Sequence, residues 1–316
     1  MADIRDNLVC LTGATGFIGR RLLESLVRSG CLVKALYRPA TLASPPALQG
    51  VEWVAGSLND SDALRRLTAG CRLVVHCAGS VRGSSREHFF RVNVQGTIAV
   101  ARAALSEPSC RGFILISSLA ARHPDLSPYA GSKRAAEEAL AQLTGRLRWA
   151  VLRPPAVYGP GDREIRPLFK AMERGFMPVL AGGRNRFSLI HVDDLSAAVA
   201  AAAEASISRG LSGRIYELHD GRTGGYTWQD VAEIFAQVRG RRVRLIPVPA
   251  PVIHAAGIIN LAAARLIARH PMLTPWKVKE LLHPDWTCDN TGITSDTGWQ
   301  PRIGLKFALE NGLIGK

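Results

Sequence analysis

The chain has 316 residues, of which 47% are hydrophobic and 21% are charged, and this is the composition of a globular protein that can bury a sizeable core. Lysine and arginine number 40 against 26 acidic residues, so the net charge of +14 favours anionic partners such as a phosphorylated cofactor, an acidic substrate or an anionic membrane surface, unless it only forms a solvated basic surface. The basic residues are scattered and not interleaved with aromatic residues, which argues against nucleic acid as a partner.

Short apolar runs alternate with helical segments over about the first 160 residues. The runs lack the polar alternation of half-exposed strands, so they predict buried parallel strands at residues 8–11, 32–37, 51–55, 73–77, 113–116 and 150–152. Segments with helical periodicity lie between them, at residues 20–29, 62–68, 94–105 and 130–143. This alternation predicts an α/β fold of the Rossmann type, with a doubly wound parallel sheet.

The pattern changes after Arg153, where Pro154-Pro155 and the turn at 158–161 interrupt the alternation. We therefore predict a dinucleotide-binding Rossmann domain over residues 1–160. Residues 161–316 are predicted to form mainly a smaller substrate-binding region, with late elements at about 186–220 that return to the main domain.

Three glycines directly follow the first predicted strand and open the first predicted helix. Gly13 permits the turn, Gly16 allows the main chain to approach a pyrophosphate, and Gly19 allows the helix to pack on the strand. The start of the helix then presents free N–H groups and a partial positive charge to the phosphates. The predicted phosphate-binding loop comprises Gly13, Thr15, Gly16, Phe17, Ile18 and Gly19.

The end of the second predicted strand indicates which dinucleotide is bound. An acidic residue there would bind a ribose 2′-hydroxyl, but the chain has Arg38, which can pair with a 2′-phosphate. This favours NADP over NAD, the alternative being a surface arginine that does not touch the cofactor. Further cofactor contacts are predicted after the third and fourth strands, at Ser57, Leu58, Ala78 and Gly79.

Tyr129 and Lys133 are spaced i, i+4, so both side chains project from one face of a helix. A free phenol has a pKa of about 10, and a nearby ammonium, together with the positive nicotinamide ring of an oxidised cofactor, is expected to lower that pKa. Tyr129 could then exchange a proton with a substrate oxygen, while Lys133 binds ribose hydroxyls. Ser118, at the end of the fifth predicted strand, is the candidate hydrogen-bond partner of that oxygen, with Ser117 as the alternative.

In this order the motifs resemble the extended short-chain dehydrogenase/reductase family, which contains nucleotide-sugar epimerases and dehydratases, dihydroflavonol reductases and 3β-hydroxysteroid dehydrogenases. The matching segments are residues 12–19, 75–78, 93–97, 117–118, 129–133, 152–162 and 190–195. The resemblance implies that the catalytic residues are Ser118, Tyr129 and Lys133, and that Pro155 and Val157 lie beside the nicotinamide. It also matches Asn93 to a family asparagine that is at least as consistent with a structural role. The family usually has an acidic residue where this chain has Ser57.

Three functions remain open at this level. The first is hydride transfer to or from a hydroxyl or carbonyl carbon of an apolar, steroid-like or polycyclic substrate, and Arg38 favours it. The second is redox-neutral epimerisation or dehydration of a nucleotide sugar with bound NAD. It is favoured by Arg186, which precedes the motif at 190–195 much as a diphosphate-binding arginine does in the sugar-acting relatives. The third is a non-catalytic dinucleotide-binding scaffold.

The apolar segment 248–269 supports the first function. Arginines flank it, so it is predicted to line an apolar pocket or to rest on an anionic membrane surface, the alternative being a packed helix. His191 and Asp193 have no third ligand at suitable spacing, so no metal site is predicted. The six cysteines lack Cys-x-x-Cys spacing and the first residues lack an apolar signal region, so we expect reduced thiols and a cytoplasmic protein. The resemblance also implies a homodimer.

Overall fold

The computed structural model describes residues 8–143, 145–266 and 271–314. The predictions made for the first residues of the chain and for residues 267–269 of the apolar segment lie outside these ranges.

The strands are β1 (Leu8–Thr12), β2 (Leu32–Tyr37), β3 (Val51–Ala55), β4 (Leu73–His76), β5 (Gly112–Ile116), β6 (Arg148–Arg153), β7 (Ala156–Tyr158), β8 (Phe176–Val179), β9 (Arg186–Phe187), β10 (Leu189–His191), β11 (Arg214–Glu217), β12 (Arg244–Pro247) and β13 (Asp285–Trp286). The α-helices are α1 (Phe17–Arg28), α2 (Ser61–Thr68), α3 (Arg86–Phe89), α4 (Gly96–Ser106), α5 (Pro128–Leu143), α6 (Arg166–Glu173), α7 (Val192–Ser208), α8 (Trp228–Arg239), α9 (Ala250–Leu266), α10 (Pro275–Leu282), α11 (Thr291–Thr297) and α12 (Leu305–Glu310).

The main sheet has seven parallel strands in the order β11-β6-β5-β4-β1-β2-β3. The strand order reverses at β1, which pairs with β2 on one side and with β4 on the other. In such sheets a crevice opens beyond the carboxyl ends of the strands at the reversal. The predicted Rossmann-type fold is confirmed, and the reversal places the glycine loop and the segment after β4 at one crevice.

Apolar strands bury both faces of this sheet. One core cluster packs α1 and α7 against one face, and a second packs α2, α4 and α5 against the other. The predicted helix at 94–105 begins earlier in the structure, as a π-helical stretch at Phe90–Gln95 that runs into α4. This widened turn includes Asn93, whose side chain is hydrogen-bonded to the loop after β4.

The remaining elements form a smaller, less regular region with its own apolar cluster, which includes Tyr158, Met177, Phe235 and Leu305. Its short parallel pairs are β7 with β10, β8 with β12, and β9 with β13. By contrast, β11 pairs with β6 at the edge of the main sheet, and α7 packs on α1. Within the described ranges, every helix is too short or too polar to cross a membrane.

Candidate active site

The glycine loop between β1 and α1 is shaped by close backbone contacts. Gly13 has a φ of +77°, and a Cβ at this position would lie 2.6 Å from the Ala78 nitrogen. A Cβ at Gly19 would lie 1.9 Å from the Gly13 carbonyl oxygen, so α1 packs against the loop without room for a side chain. Gly16 is the N-cap residue, and no side chain caps the helix. The first N–H groups of α1 are therefore available to an anionic group, as a dinucleotide pyrophosphate requires.

The other predicted loop residues surround this turn. Thr15, Phe17 and Ile18 are half-buried, and Ile18 packs against the main core. The Phe17 ring lies next to Gly161, whose added Cβ would be 3.5 Å from it. These residues therefore pack the turn between the main core and the loop at Gly161.

The carboxyl ends of β1 and β4 are joined by a buried hydrogen-bond chain. Thr12 Oγ1 lies 2.7 Å from His76 Nδ1 and accepts from the Ala78 nitrogen at 3.2 Å. Burial, followed by the charge of Lys133, lowers the pKa of His76 to about 3, so its imidazole is neutral near pH 7. His76 is thus a core residue that holds the segment Ala78-Gly79 against the glycine loop.

Lys133 lies at the bottom of the crevice on α5. Its side chain is buried, and Nζ donates to the Ile116 carbonyl oxygen at 2.8 Å. A Cβ at Gly79 would lie 3.4 Å from Nζ, which places the ammonium beside the loop after β4. Burial lowers the pKa of Lys133 to about 8. Because an ammonium has three donors, two more N–H bonds are available for hydroxyl oxygens of a ribose.

Asn93 fixes the geometry around this lysine. Its Oδ1 accepts from the Ser80 nitrogen at 2.8 Å, and its Nδ2 donates to the Ser80 carbonyl at 3.1 Å and to Ser132 Oγ at 2.9 Å. The amide therefore ties the loop after β4 to α5, directly before Lys133. These contacts describe a structural role for Asn93, which is to hold that loop against α5.

Tyr129 and Ser118 meet at the mouth of the crevice. The two side chains are hydrogen-bonded, and Ser118 Oγ also accepts from the Ala120 nitrogen at 3.2 Å. Ser117 is not equivalent, because its hydroxyl donates to the buried carboxylate of Glu137. Burial raises the pKa of Tyr129, and the hydrogen bond with Ser118 opposes that effect. Without a bound nicotinamide, burial therefore outweighs the lowering of the pKa that Lys133 was expected to cause.

A wall from the smaller region, which the sequence did not reveal, closes over Tyr129. Lys277 on α10 places its Nζ 5.9 Å from the centroid of the Tyr129 ring and pairs with Glu280 at 2.6 Å. Ser127 donates to the same buried carboxylate, and Phe89 packs edge-on against the tyrosine at 6.0 Å. In the sequence, Lys277 and Glu280 resemble an ordinary surface pair spaced i, i+3, so only tertiary structure assigns them here.

The gap enclosed by this wall is small. Its volume is about 20 Å³, which holds about one water molecule. The lining includes Phe89, Tyr129, Met272, Thr274, Trp276 and Lys277. A guest larger than a water molecule does not fit in this gap as it stands.

The other predicted cofactor contacts lie around the rim. Arg38 is exposed at the end of β2, and Ser57 Oγ accepts from the Asn59 nitrogen at 3.3 Å. Leu58 packs against Gly96, where an added Cβ would lie 2.7 Å from Leu58 Cδ1. Pro155 and Val157 are half-buried after β6, and Val157 pairs with Ile190 across β7 and β10.

Arg186 and the motif at 190–195 make structural contacts. The Arg186 guanidinium donates twice to the Gly224 carbonyl, at 2.9 and 2.6 Å, and within the described part of the chain no hydrogen bond joins it to Ser118 or Tyr129. Asp193 forms an ion pair with Arg21 at 2.8 Å, and Asp194 accepts from two backbone nitrogens near residue 302. These bonds fasten α1 and the C-terminal loop to the start of α7.

Known proteins resemble this chain over most of its length. The model of the NAD dependent epimerase/dehydratase family matches residues 9–218. Ceramide reductase of Caulobacter vibrioides is 38% identical over 313 residues, which cover 99% of this chain and 94% of that protein. A 4-hydroxy-2-methyl-3-oxo-4-farnesyl-3,4-dihydroquinoline-1-oxide ketoreductase of Stigmatella aurantiaca is 32% identical over 231 residues, which cover 67% of each chain.

Solved structures share the fold at lower identity. MoeE5 in complex with UDP-glucose and NAD has a TM-score of 0.72 at 22% identity, over 96% of both chains. The UDP-glucuronic acid 4-epimerase of Bacillus cereus in complex with NAD has a TM-score of 0.73 at 18% identity, over 96% of this chain and 94% of that one. The motifs, the fold and the extent of the family match together establish that the chain belongs to the NAD dependent epimerase/dehydratase family, as an oxidoreductase that uses a nicotinamide dinucleotide.

Proposed function

We propose that the protein is an NADP-dependent reductase that converts a ketone of an apolar, ceramide-related lipid to a hydroxyl, with Tyr129 as the proton donor. The proposal depends on one arrangement. The phenol of Tyr129 is hydrogen-bonded to Ser118, and the ammonium of Lys133 lies one helical turn away beside Gly79. The bound dinucleotide would supply the hydride to the carbonyl carbon. The chain's own residues would bind the cofactor, orient the substrate and protonate the carbonyl oxygen.

Tyr129 can serve as the proton donor of a reduction. Its phenol is protonated near neutral pH, so it can pass a proton to a carbonyl oxygen on which negative charge develops. Ser118 would donate a second hydrogen bond to that oxygen and stabilise the same charge. Lys133 would hold the ribose hydroxyls through its two remaining N–H bonds.

The substrate class is supported by the relatives and by the lining of the gap. A relative named for ceramide reduction covers nearly the whole chain, and the ketoreductase relative acts on a molecule with a farnesyl group by its name. Phe89, Met272 and Trp276 give the gap apolar walls. Because its volume is about 20 Å³, binding of a lipid would require α10 to open, as lids do in many enzymes.

Arg38 supports NADP as the cofactor. It is exposed at the end of β2, where its guanidinium could form charge-assisted hydrogen bonds with a 2′-phosphate. The homodimer implied by the family resemblance and a membrane contact of the segment 248–269 belong to the same proposal.

Nucleotide-sugar chemistry is the second candidate. Its support in the sequence is Arg186 as a diphosphate ligand, and in the structure Nε and Nη2 of this guanidinium donate to the Gly224 carbonyl oxygen. The remaining support is the fold shared with sugar-nucleotide enzymes, which is common to many activities.

The proposal is tested by mixing the purified protein with NADPH and a short-chain ceramide analogue that carries a ketone in place of a hydroxyl. NADPH should be consumed and the hydroxyl product should appear by mass spectrometry. Tyr129→Phe should lose about 10²-fold or more in turnover while it still quenches or shifts NADPH fluorescence on binding. Tyr216→Phe is the matched control. Tyr216 lies on the edge strand β11, and the substitution removes a phenol oxygen that is hydrogen-bonded to Asp296.

Two results would reject the proposal. The first is a protein that consumes no NADPH, releases tightly held NAD on denaturation and converts a UDP-sugar. That result would establish the second candidate. The second is wild-type turnover by Tyr129→Phe, which would remove the tyrosine from the mechanism.

A further inference from the structure

Helix α9 exposes a continuous apolar face. Val252, Ile258 and Ile259 are 56%, 59% and 69% exposed. The exposed residues on this side of the helix are together called the α9 outer face. They are Val252, Ala255, Ala256, Ile258, Ile259, Ala262 and Ala263. At 100° per residue these positions occupy one side of the helix, where a water-facing helix would carry polar side chains.

The opposite side of α9 is firmly packed. Ile253 and Leu261 are buried, and a Cβ at Gly257 would lie 3.1 Å from the Thr274 backbone. Asn260 Nδ2 donates to the Leu273 carbonyl oxygen at 2.8 Å. The outer face is thus held in place by the segment that leads into α10.

That segment also reaches the reaction gap. Thr274 caps α10, and Lys277 on the first turns of α10 lies over the Tyr129 ring. The helix that carries the outer face therefore packs directly on the wall of the candidate active site. A ligand that covers the outer face would therefore contact the same helix that packs on this wall.

The charge around the outer face has one sign. Between Glu233 and Glu280 the sequence contains no acidic residue, and its charged residues are Arg239, Arg241, Arg242, Arg244, Arg265, Arg269, Lys277 and Lys279. Arg242 and Arg244 are exposed in the segment that leads into α9. Ile246, 43% exposed, stands between them and the helix. An apolar helix face flanked in the chain by exposed basic residues complements an anionic lipid surface.

We propose that the α9 outer face docks on an anionic lipid bilayer, with Arg242 and Arg244 near the lipid headgroups. A second copy of the chain fits less well, because a symmetric contact would bring arginines of like charge together. Docking deepens the proposed function, since it would bring a lipid substrate to the wall formed by α10. Docking can nevertheless be measured as vesicle binding, without any enzymatic reaction.

The test uses flotation of the full-length protein with vesicles of phosphatidylglycerol and phosphatidylcholine, and with vesicles of phosphatidylcholine alone. The wild type should float with the anionic vesicles, and added salt should weaken the binding. The double variant Ile258→Glu/Ile259→Glu should bind at least about tenfold less, because it places charges on the apolar face. Phe307→Glu, on α12 and 49% exposed, is the matched control and should float like the wild type.

The docking proposal is overturned by a wild type that does not float, by a double variant that floats equally well, or by a double variant that only converts a dimer to a monomer in analytical ultracentrifugation. Turnover of the short-chain ketone analogue in vesicle-free buffer separates the two proposals. If the double variant retains that turnover but not flotation, docking is supported together with the function. If the wild type floats but reduces no analogue, docking stands and the proposed substrate fails.

Discussion

Glu137→Gln is expected to lower the free energy of unfolding by about 3 kcal/mol, because it breaks a buried ion pair behind the candidate active site. Glu137 lies on α5, one turn after Lys133, and accepts three hydrogen bonds from Arg153. These join Nε to Oε1 at 3.0 Å, Nε to Oε2 at 3.2 Å, and Nη2 to Oε2 at 2.5 Å. Both residues are buried, at 3% and 7% exposure. Ser117 donates a further hydrogen bond to the same carboxylate.

The magnitude follows from what remains after the substitution. Removing one partner of a buried pair costs about 3–5 kcal/mol, because the other charge stays buried without compensation. Here Glu217 Oε1 lies 3.8 Å from Arg153 Nη1 and offsets part of that cost. We therefore expect a value near the lower end of the range. Replacing both charges, as in Glu137→Leu/Arg153→Met, should cost less than the two single changes combined.

Equilibrium unfolding in urea, followed by circular dichroism, measures these differences. Glu138→Gln is the matched control, because Glu138 is the next residue of α5 and its pair with Arg134 is exposed at the surface. An exposed pair at i, i+4 contributes only about 0.3–0.5 kcal/mol. If Glu137→Gln proves as stable as Glu138→Gln, or if the two single changes are additive, the pair does not stabilise the fold as argued.

Arg38→Asp should lower the preference for NADPH over NADH by about 10²-fold in kcat/KM, since a charge-assisted bond to phosphate contributes about 1.5–3 kcal/mol; an unchanged ratio would show that Arg38 does not contact the 2′-phosphate. The pKa of Lys133 is lowered to about 8, so kcat/KM for NADPH should fall above that pH as the ammonium loses its proton, and a flat profile would contradict its role. Gly257→Leu should raise KM for the ceramide analogue at unchanged NADPH affinity, because it pushes α9 off the segment before α10, whereas Ala256→Leu on the exposed side should not. His76 has a pKa of about 3 when folded and about 6.5 when unfolded, so acid should lower the free energy of unfolding by about 2 kcal/mol near pH 5, and His76→Gln should remove that dependence in urea titrations.

The parts of the site that depend on local sequence could be predicted. The glycine loop follows a buried strand and precedes a helix, so its role depends on residues within one turn of chain. Tyr129 and Lys133 share a helix face at fixed spacing, and the structure places both on α5. The six strands predicted in the first 160 residues begin and end within two residues of β1 to β6, because strands buried on both faces consist of continuous apolar runs.

The parts that depend on distant residues could not be predicted. The pKa of Tyr129 moves up because burial dominates, and part of that environment comes from α10 and Glu280, far along the chain. The preference of Tyr129 for Ser118 over Ser117 depends on Glu137, which already binds the Ser117 hydroxyl. The sequence also could not reveal that the Arg186 guanidinium donates to the carbonyl oxygen of Gly224 in a distant turn. In each case the sequence gives the residue, but a contact with a distant part of the chain determines its chemistry.

The small gap at Tyr129 and the apolar face of α9 have a common explanation in the α9–α10 unit. An open pocket for a lipid would expose Phe89, Met272 and Trp276 to water, at a cost of about 25 cal/mol for each Å² of apolar surface. A closed wall avoids that cost while no substrate is present. A bilayer that covers the α9 outer face could supply both the substrate and an apolar surrounding in which α10 separates from Tyr129. Opening in the absence of lipid would therefore be rare, and turnover of a long-chain ketone should depend on vesicles more strongly than turnover of the short-chain analogue.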